Sequence, residues 1–339
     1  MTNISGVRGE NGNERFDDKL EWMRFIQIKK VKTMTTDIKS VYNEDIDPVK
    51  TYERKVSPNI AFYEDVRGTK SNGTRQHVYD DVLLPHTGNA FFVKAGQVIR
   101  FEQRPSLHNN RTQIIDVHFV TPDLEQYGDH LNTSAVEGLN QRLYSAVWSQ
   151  SRYMEKIVTL VEDEFPYEKM DEDFSHIFFA AHCCPEWLHM CYGEEGNVNS
   201  CQENFIQGFN RVPAIAAIEN ETLRRQVVQT FADRNDVNMF QPNKFTQDDN
   251  GITRCVLAPT PSVDDGVGCE FYAEKDIYVV VSNCPYADQA LPYPEAQPNP
   301  VYVSVYDTGI QPETKHLGDI GGWEERIYER IATKDNSVK

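Results

Sequence analysis

Short runs of β-branched and aromatic residues on both sides of a helical stretch constrain the fold of this chain more than any other feature. Strand-like runs lie at residues 90–93, 96–101, 112–120, 156–161 and 177–181. Between residues 185 and 232 the period becomes helical. Pro185 suits a first helical turn, Ser200 with Glu203 makes a capping box, and residues 219–232 read as a further helix. Strand-like runs return at 239–246, 252–258, 268–273, 276–281 and 301–305, with turn signals such as Asn250 with Gly251 between them. This order is neither strict β–α alternation nor all-β. It predicts an α+β fold: a large, mainly antiparallel β-sheet or barrel-like core with helices inserted around 185–232.

Three segments follow. Residues 1–88 read as an irregular N-terminal extension with one helix at 17–30. Residues 89–310 form the main body, and residues 311–339 a C-terminal helix, over 324–333, and a tail. Within the body, residues 90–101 read as a hairpin or two successive strands, and residues 133–148 as a helix.

The 339 residues, 39% hydrophobic and 25% charged, suffice for a sizeable core. The net charge of −18 repels phosphate backbones and anionic lipid, so neither nucleic acid nor membrane is an expected partner. No run approaches the roughly 18 apolar residues of a membrane span. Residues 1–15 lack the apolar stretch of a secretory signal, and the seven cysteines cluster instead of spreading as a disulfide framework would. A reduced, cytoplasmic protein is expected.

The chemistry concentrates in a block of imidazoles and thiols: His176, His182, Cys183, Cys184, His189, Cys191 and Cys201, with Cys284 far downstream. Such ligands select a zinc-class ion. Cys201 falls in the first turn of an expected helix, where the helix dipole favours thiolate. Cys284 ends an apolar strand. Asp116 is embedded in the apolar run TQIIDVHFV, where a carboxylate is costly unless paired or ligating. Each also has a plainer reading: Cys284 as a small buried hydrophobe, Asp116 as half of an ion pair with Arg142 or Arg152. Phosphate-binding loops, the nucleophile elbow, the HExxH zinc motif and the cytidine-deaminase signature are absent from the sequence.

Ordered pieces of the chain resemble the urea-carboxylase-associated family, a domain of unknown function shared with the subunits of carboxyguanidine deiminase. They are GQVIR at 96–100, QIID at 113–116, Ser149 with Arg152, the strand ending at Asp163, and His176 followed by AAHCCP at 180–185. SCQEN at 200–204, NMF at 238–240 with Asn250-Gly251, Asp276 and SNCP at 282–285 complete the series. The resemblance implies a zinc site drawn from His176, Cys183, Cys201 and Cys284, with Asp116 and Asn204 as substrate contacts. It implies a zinc-dependent hydrolase of a C–N bond in a small amidine, ureido or amide compound, serving nitrogen metabolism as a homo-oligomer or beside a related second subunit. The alternative is a non-catalytic metal-binding accessory subunit, favoured by Ile177 standing where the family has aspartate after the histidine.

Overall fold

The computed structural model describes residues 58–106, 109–170, 174–193, 199–263, 265–286, 297–313 and 329, all within the unit that spans residues 56–339. The helices expected at 17–30 and 324–333 lie outside the described residues, Glu329 excepted.

The elements in chain order are α1 (Ile60–Ser71), β1 (Gln76–Leu83), β2 (Gly88–Val93), β3 (Gln97–Gln103), β4 (Ile115–Val120), α2 (His130–Glu137), β5 (Ala146–Trp148), β6 (Lys156–Asp163) and β7 (Ser175–Ala180). Then come α3 (Pro185–Tyr192), α4 (Cys201–Phe209), α5 (Pro213–Ala216), α6 (Glu221–Ala232), β8 (Asp236–Gln247), β9 (Thr253–Leu257), β10 (Val267–Ala273), β11 (Ile277–Asn283) and β12 (Val301–Asp307). Two six-stranded antiparallel sheets result. The first has the order β1-β12-β3-β10-β6-β5; the second has β2-β11-β4-β8-β7, with β9 hydrogen-bonded to β8. The fold is α+β with an antiparallel core, and the sheets stay open rather than closing into a barrel.

Strand β4 shows how the layers arise. All six of its residues are buried. Ile115, Val117 and Phe119 join the core between the sheets, while Asp116, His118 and Val120 alternate to the opposite face. Across the core, the Phe119 and Phe271 rings lie 5.3 Å apart, and Val279 and Val281 of β11 enter the same cluster. Each such side chain contributes about 1.5–3 kcal/mol on burial. On the outer face of the second sheet, Val120 and Val280 meet Phe205, Phe209, Val228 and Phe231 of α4 and α6. On the outer face of the first, Val98, Val161 and Tyr272 meet Tyr63 and Val66 of α1.

One expectation left open is decided and two change. Residues 90–101 are two successive strands in different sheets: β2 pairs with β11, and β3 with β10 and β12. The helix expected over 133–148 ends at Glu137, with Gly138 at its C-cap. Ala146–Trp148 instead pairs with β6, a tertiary partner outweighing local propensity. Residues 60–83, expected in an irregular lead-in, supply α1 and the edge strand β1. No helix among the described residues is long and apolar enough to cross a membrane.

Candidate metal and acid-base centre

Three of the four expected ligands converge. Cys183 precedes α3, Cys201 is the first residue of α4, and Cys284 directly follows β11. Their sulfurs all lie within 4.8 Å of one another, and all three residues are buried. The caps set these positions. Cys184 caps α3 by accepting the Trp187 N–H at 3.4 Å, and Ser200 and Glu203 form the expected capping box on α4. The Cys201 N–H, left free by the start of its helix, donates to Cys183 Sγ at 3.2 Å. Hydrogen bonds from the thiols of Cys201 and Cys284 hold the Cys183 thiol well below its ordinary value, whereas burial pushes Cys201 and Cys284 well up.

Helix α4 lies unusually close to the second sheet. A Cβ on Gly88 would fall 1.8 Å from the Asn204 carbonyl oxygen, and one on Gly208 would fall 2.5 Å from Val280 Cγ1. Asn204 ties the two elements: its Nδ2 donates to Ser282 Oγ at 3.0 Å and to the Asn283 carbonyl at 3.2 Å. Its amide is therefore a strut between α4 and β11 and is not presented to a substrate.

Beside the sulfurs lies a polar group that the sequence reading assembled only in part. Asp116 Oδ1 accepts from Asn238 Nδ2 at 2.7 Å, and no arginine pairs with Asp116 among the described residues. Its Oδ2 is buried without a partner, as are Asp236 Oδ1 and His118 Nε2. Burial, then the charge of Asp236, pushes Asp116 well up; the Cys201 thiol opposes part of this. Asp236 Oδ2 meets His182 Nδ1 at 3.0 Å, and ligand atoms of His118, His182 and Asp236 lie within 4.8 Å of one another. Burial, then the charge of His182, pushes His118 well down. Burial also lowers His182, but the hydrogen bond and charge of Asp236 outweigh it and the net shift is upward. His182 and Asp116 were visible as candidates. His118 and Asp236 carried no signal beyond facing, by strand alternation, the side that Asp116 faces.

His176 does not join the sulfurs, which corrects the expected ligand set. A register shift in β7 between Ser175 and Ile177 turns its ring between the sheets. There it stacks on Phe165 at 4.0 Å between centroids and meets Asp163 Oδ1 of the other sheet at 2.9 Å through Nε2. The Phe240 N–H donates to its Nδ1 at 3.3 Å, so both ring nitrogens are occupied. His189 and Cys191 are exposed on α3.

The remaining donors fit a zinc-class ion. Tetrahedral coordination at about 2.3 Å separates sulfurs by roughly 3.8 Å, within the observed limit. The unpartnered Asp116 Oδ2 is a buried oxygen adjacent to the thiols, in want of a ligand.

No family model and no curated protein matches the chain. Its fold is similar to the crystal structure of a DUF1989-family protein from Silicibacter pomeroyi DSS-3, with a TM-score of 0.60 and 21% identity, covering 79% of this chain and 92% of that one. At that identity the likeness shows the fold.

Proposed function

We propose that the chain is a zinc-dependent hydrolase of a C–N bond in a small amidine, ureido or amide compound, of the urea-carboxylase-associated type. The observation that carries this reading is the meeting of Cys183, Cys201 and Cys284 beside buried, unpartnered polar atoms of Asp116, His118 and Asp236. The ordered motifs and the likeness in fold support the type. The three cysteines hold the ion, which when bound supplies Lewis acidity. Asp236 fixes His182 through Nδ1, leaving Nε2 to take a proton from the attacking water. Asp116 Oδ2 is the free oxygen that exchanges a proton with the departing nitrogen. Asn204 keeps α4, and with it Cys201, seated on the strand that ends at Cys284.

Purified protein is expected to hold about one zinc per chain by elemental analysis, Cys284→Ala to lose it, and ammonia to be released from members of a guanidino and ureido panel. Well-folded protein without metal would refute the reading. The complete burial of all three sulfurs favours a second reading, a structural metal in an accessory subunit. Zinc without ammonia release from the isolated chain selects it.

A further inference from the structure

His118, His182 and Asp236 form a second donor group, distinct from the three sulfurs. Strand register brings them together. The β4–β8 pairing sets Asp116 opposite Asn238 and Val117 opposite Val237, so His118 and Asp236 occupy the next position. On the other side of β8, Asp236 pairs with Ala180 of β7, and His182 follows two residues later. Neither His118 nor Asp236 falls in the pieces of chain that carry the family resemblance.

An ion pair between His182 and Asp236 accounts for only part of this group. It uses His182 Nδ1 and Asp236 Oδ2. Asp236 Oδ1 and His118 Nε2 stay without a partner, although Asp236 is 1% exposed and His118 7%. Aromatic packing holds both rings: the centroid of Phe205 on α4 lies 4.3 Å from that of His118 and 5.1 Å from that of His182. Burial also favours the neutral form of His118, which has a lone pair to give. Unpartnered polar atoms that converge in a fixed, desolvated frame suit a bound cation. Two imidazoles and one carboxylate are the donor set of open zinc sites and of ferrous sites with free positions. Bonds of about 2.0–2.1 Å keep such ligand atoms roughly 3.3 Å apart, within the 4.8 Å that spans this group.

We propose that His118, His182 and Asp236 hold a second divalent transition-metal cation, at a site free of thiolate and separate from the three cysteines. It fills from added cation after the thiol site, because thiolates select zinc-class ions more strongly. Filling it has a consequence that rests on the hydrolase reading. A neutral imidazole that gives one nitrogen to a metal carries its proton on the other, so His182 no longer accepts a proton from water. The second cation is therefore an inhibitor, and the site a brake that responds to metal supply.

Equilibrium dialysis of the full chain against cobalt(II), read by elemental analysis and absorption spectra, tests the site. The native chain is expected to take up about two equivalents, of which only the thiol-bound one gives an intense thiolate-to-metal charge-transfer band. His118→Phe keeps a ring packed on Phe205 and is expected to lose the second equivalent with the band unchanged. Asp236→Asn carries the test if that variant does not fold. Cys284→Ala is expected to lose the band and keep the other equivalent. Native uptake that stops at the band-bearing equivalent overturns the site. So does a second equivalent retained by His118→Phe and Asp236→Asn alike, which would be an adventitious ion only. No band, with one equivalent lost in His118→Phe, upholds this site and sinks the thiol site alone. Where ammonia is released, excess cobalt is expected to lower the native rate at least about tenfold and to leave His118→Phe at its own rate without added cation. Equal inhibition of both chains overturns the brake; if no ammonia is released, the dialysis decides.

Discussion

The two outer faces of the sandwich treat buried charge in opposite ways. Beneath α1, on the first sheet, the buried acids Glu162 and Glu270 each meet a base. Glu270, fully buried, meets Arg75 at 2.7 Å, Arg100 at 3.3 Å and Lys70 at 3.6 Å. Glu162 pairs with Arg67 at 2.8 Å, and Glu164 with Arg100 at 2.6 Å. Beneath α3–α6, on the second sheet, Asp116, His118 and Asp236 keep buried atoms without partners beside three thiols. A saturated network fastens a helix to a sheet. An unsaturated one carries a cost that a bound ion, water or ligand removes. The contrast is what assigns the proposed chemistry to the second face.

That division can be broken at three points, taken in order of their effect on stability. Glu270→Ala leaves the buried Arg75 without its carboxylate and takes one partner from Arg100, which keeps Glu164, and is expected to cost about 3–5 kcal/mol in urea denaturation, with zinc content unchanged. A small loss would show that the first face is not a structural network. Asp116→Asn is expected to move stability by less than about 1 kcal/mol, because the carboxyl it removes has an unpaired oxygen, while ammonia release falls about a hundredfold. A large stability loss with activity retained would make Asp116 structural. The smallest effect is one of pH. Burial raises Glu164, but Arg100 and Lys70 outweigh it and hold it below its ordinary value. Its contribution is therefore full above the unfolded carboxylate pKa of about 4.3 and disappears as pH falls through the lower folded value. Glu164→Gln should lower stability by about 0.5 kcal/mol at pH 7, and the gap from the native chain should close under acid; a constant gap would contradict the pairing.

Much of this plan is legible in the sequence where local chemistry decides. Pro185 and the Ser200–Glu203 box opened their helices as expected, and both place a cysteine at a helix start. Alternation in β4 put Asp116 on the face away from the inter-sheet core. Where pairing across the fold decides, the sequence misleads. Strand β1 has mostly exposed residues and no apolar alternation, so only β12 makes it a strand. The site was lost at His176 for a related reason. Motif order places it near Cys183, but a single register shift in β7 sends its ring to the opposite side of the sheet. Asn204 was expected from the resemblance to contact substrate, whereas its side chain bonds Ser282 and the Asn283 carbonyl and so ties α4 to β11.

The closeness of α4 to β2 and β11 has a consequence for how this centre can vary. Gly88 on β2 and Gly208 on α4 itself act as shims of zero thickness between helix and sheet. Even one methyl group at either place would wedge α4 outward and draw Cys201 away from Cys183 and Cys284. The proposed grip on a cation would therefore be governed from beyond its ligands, by two positions whose only contribution is the absence of a side chain.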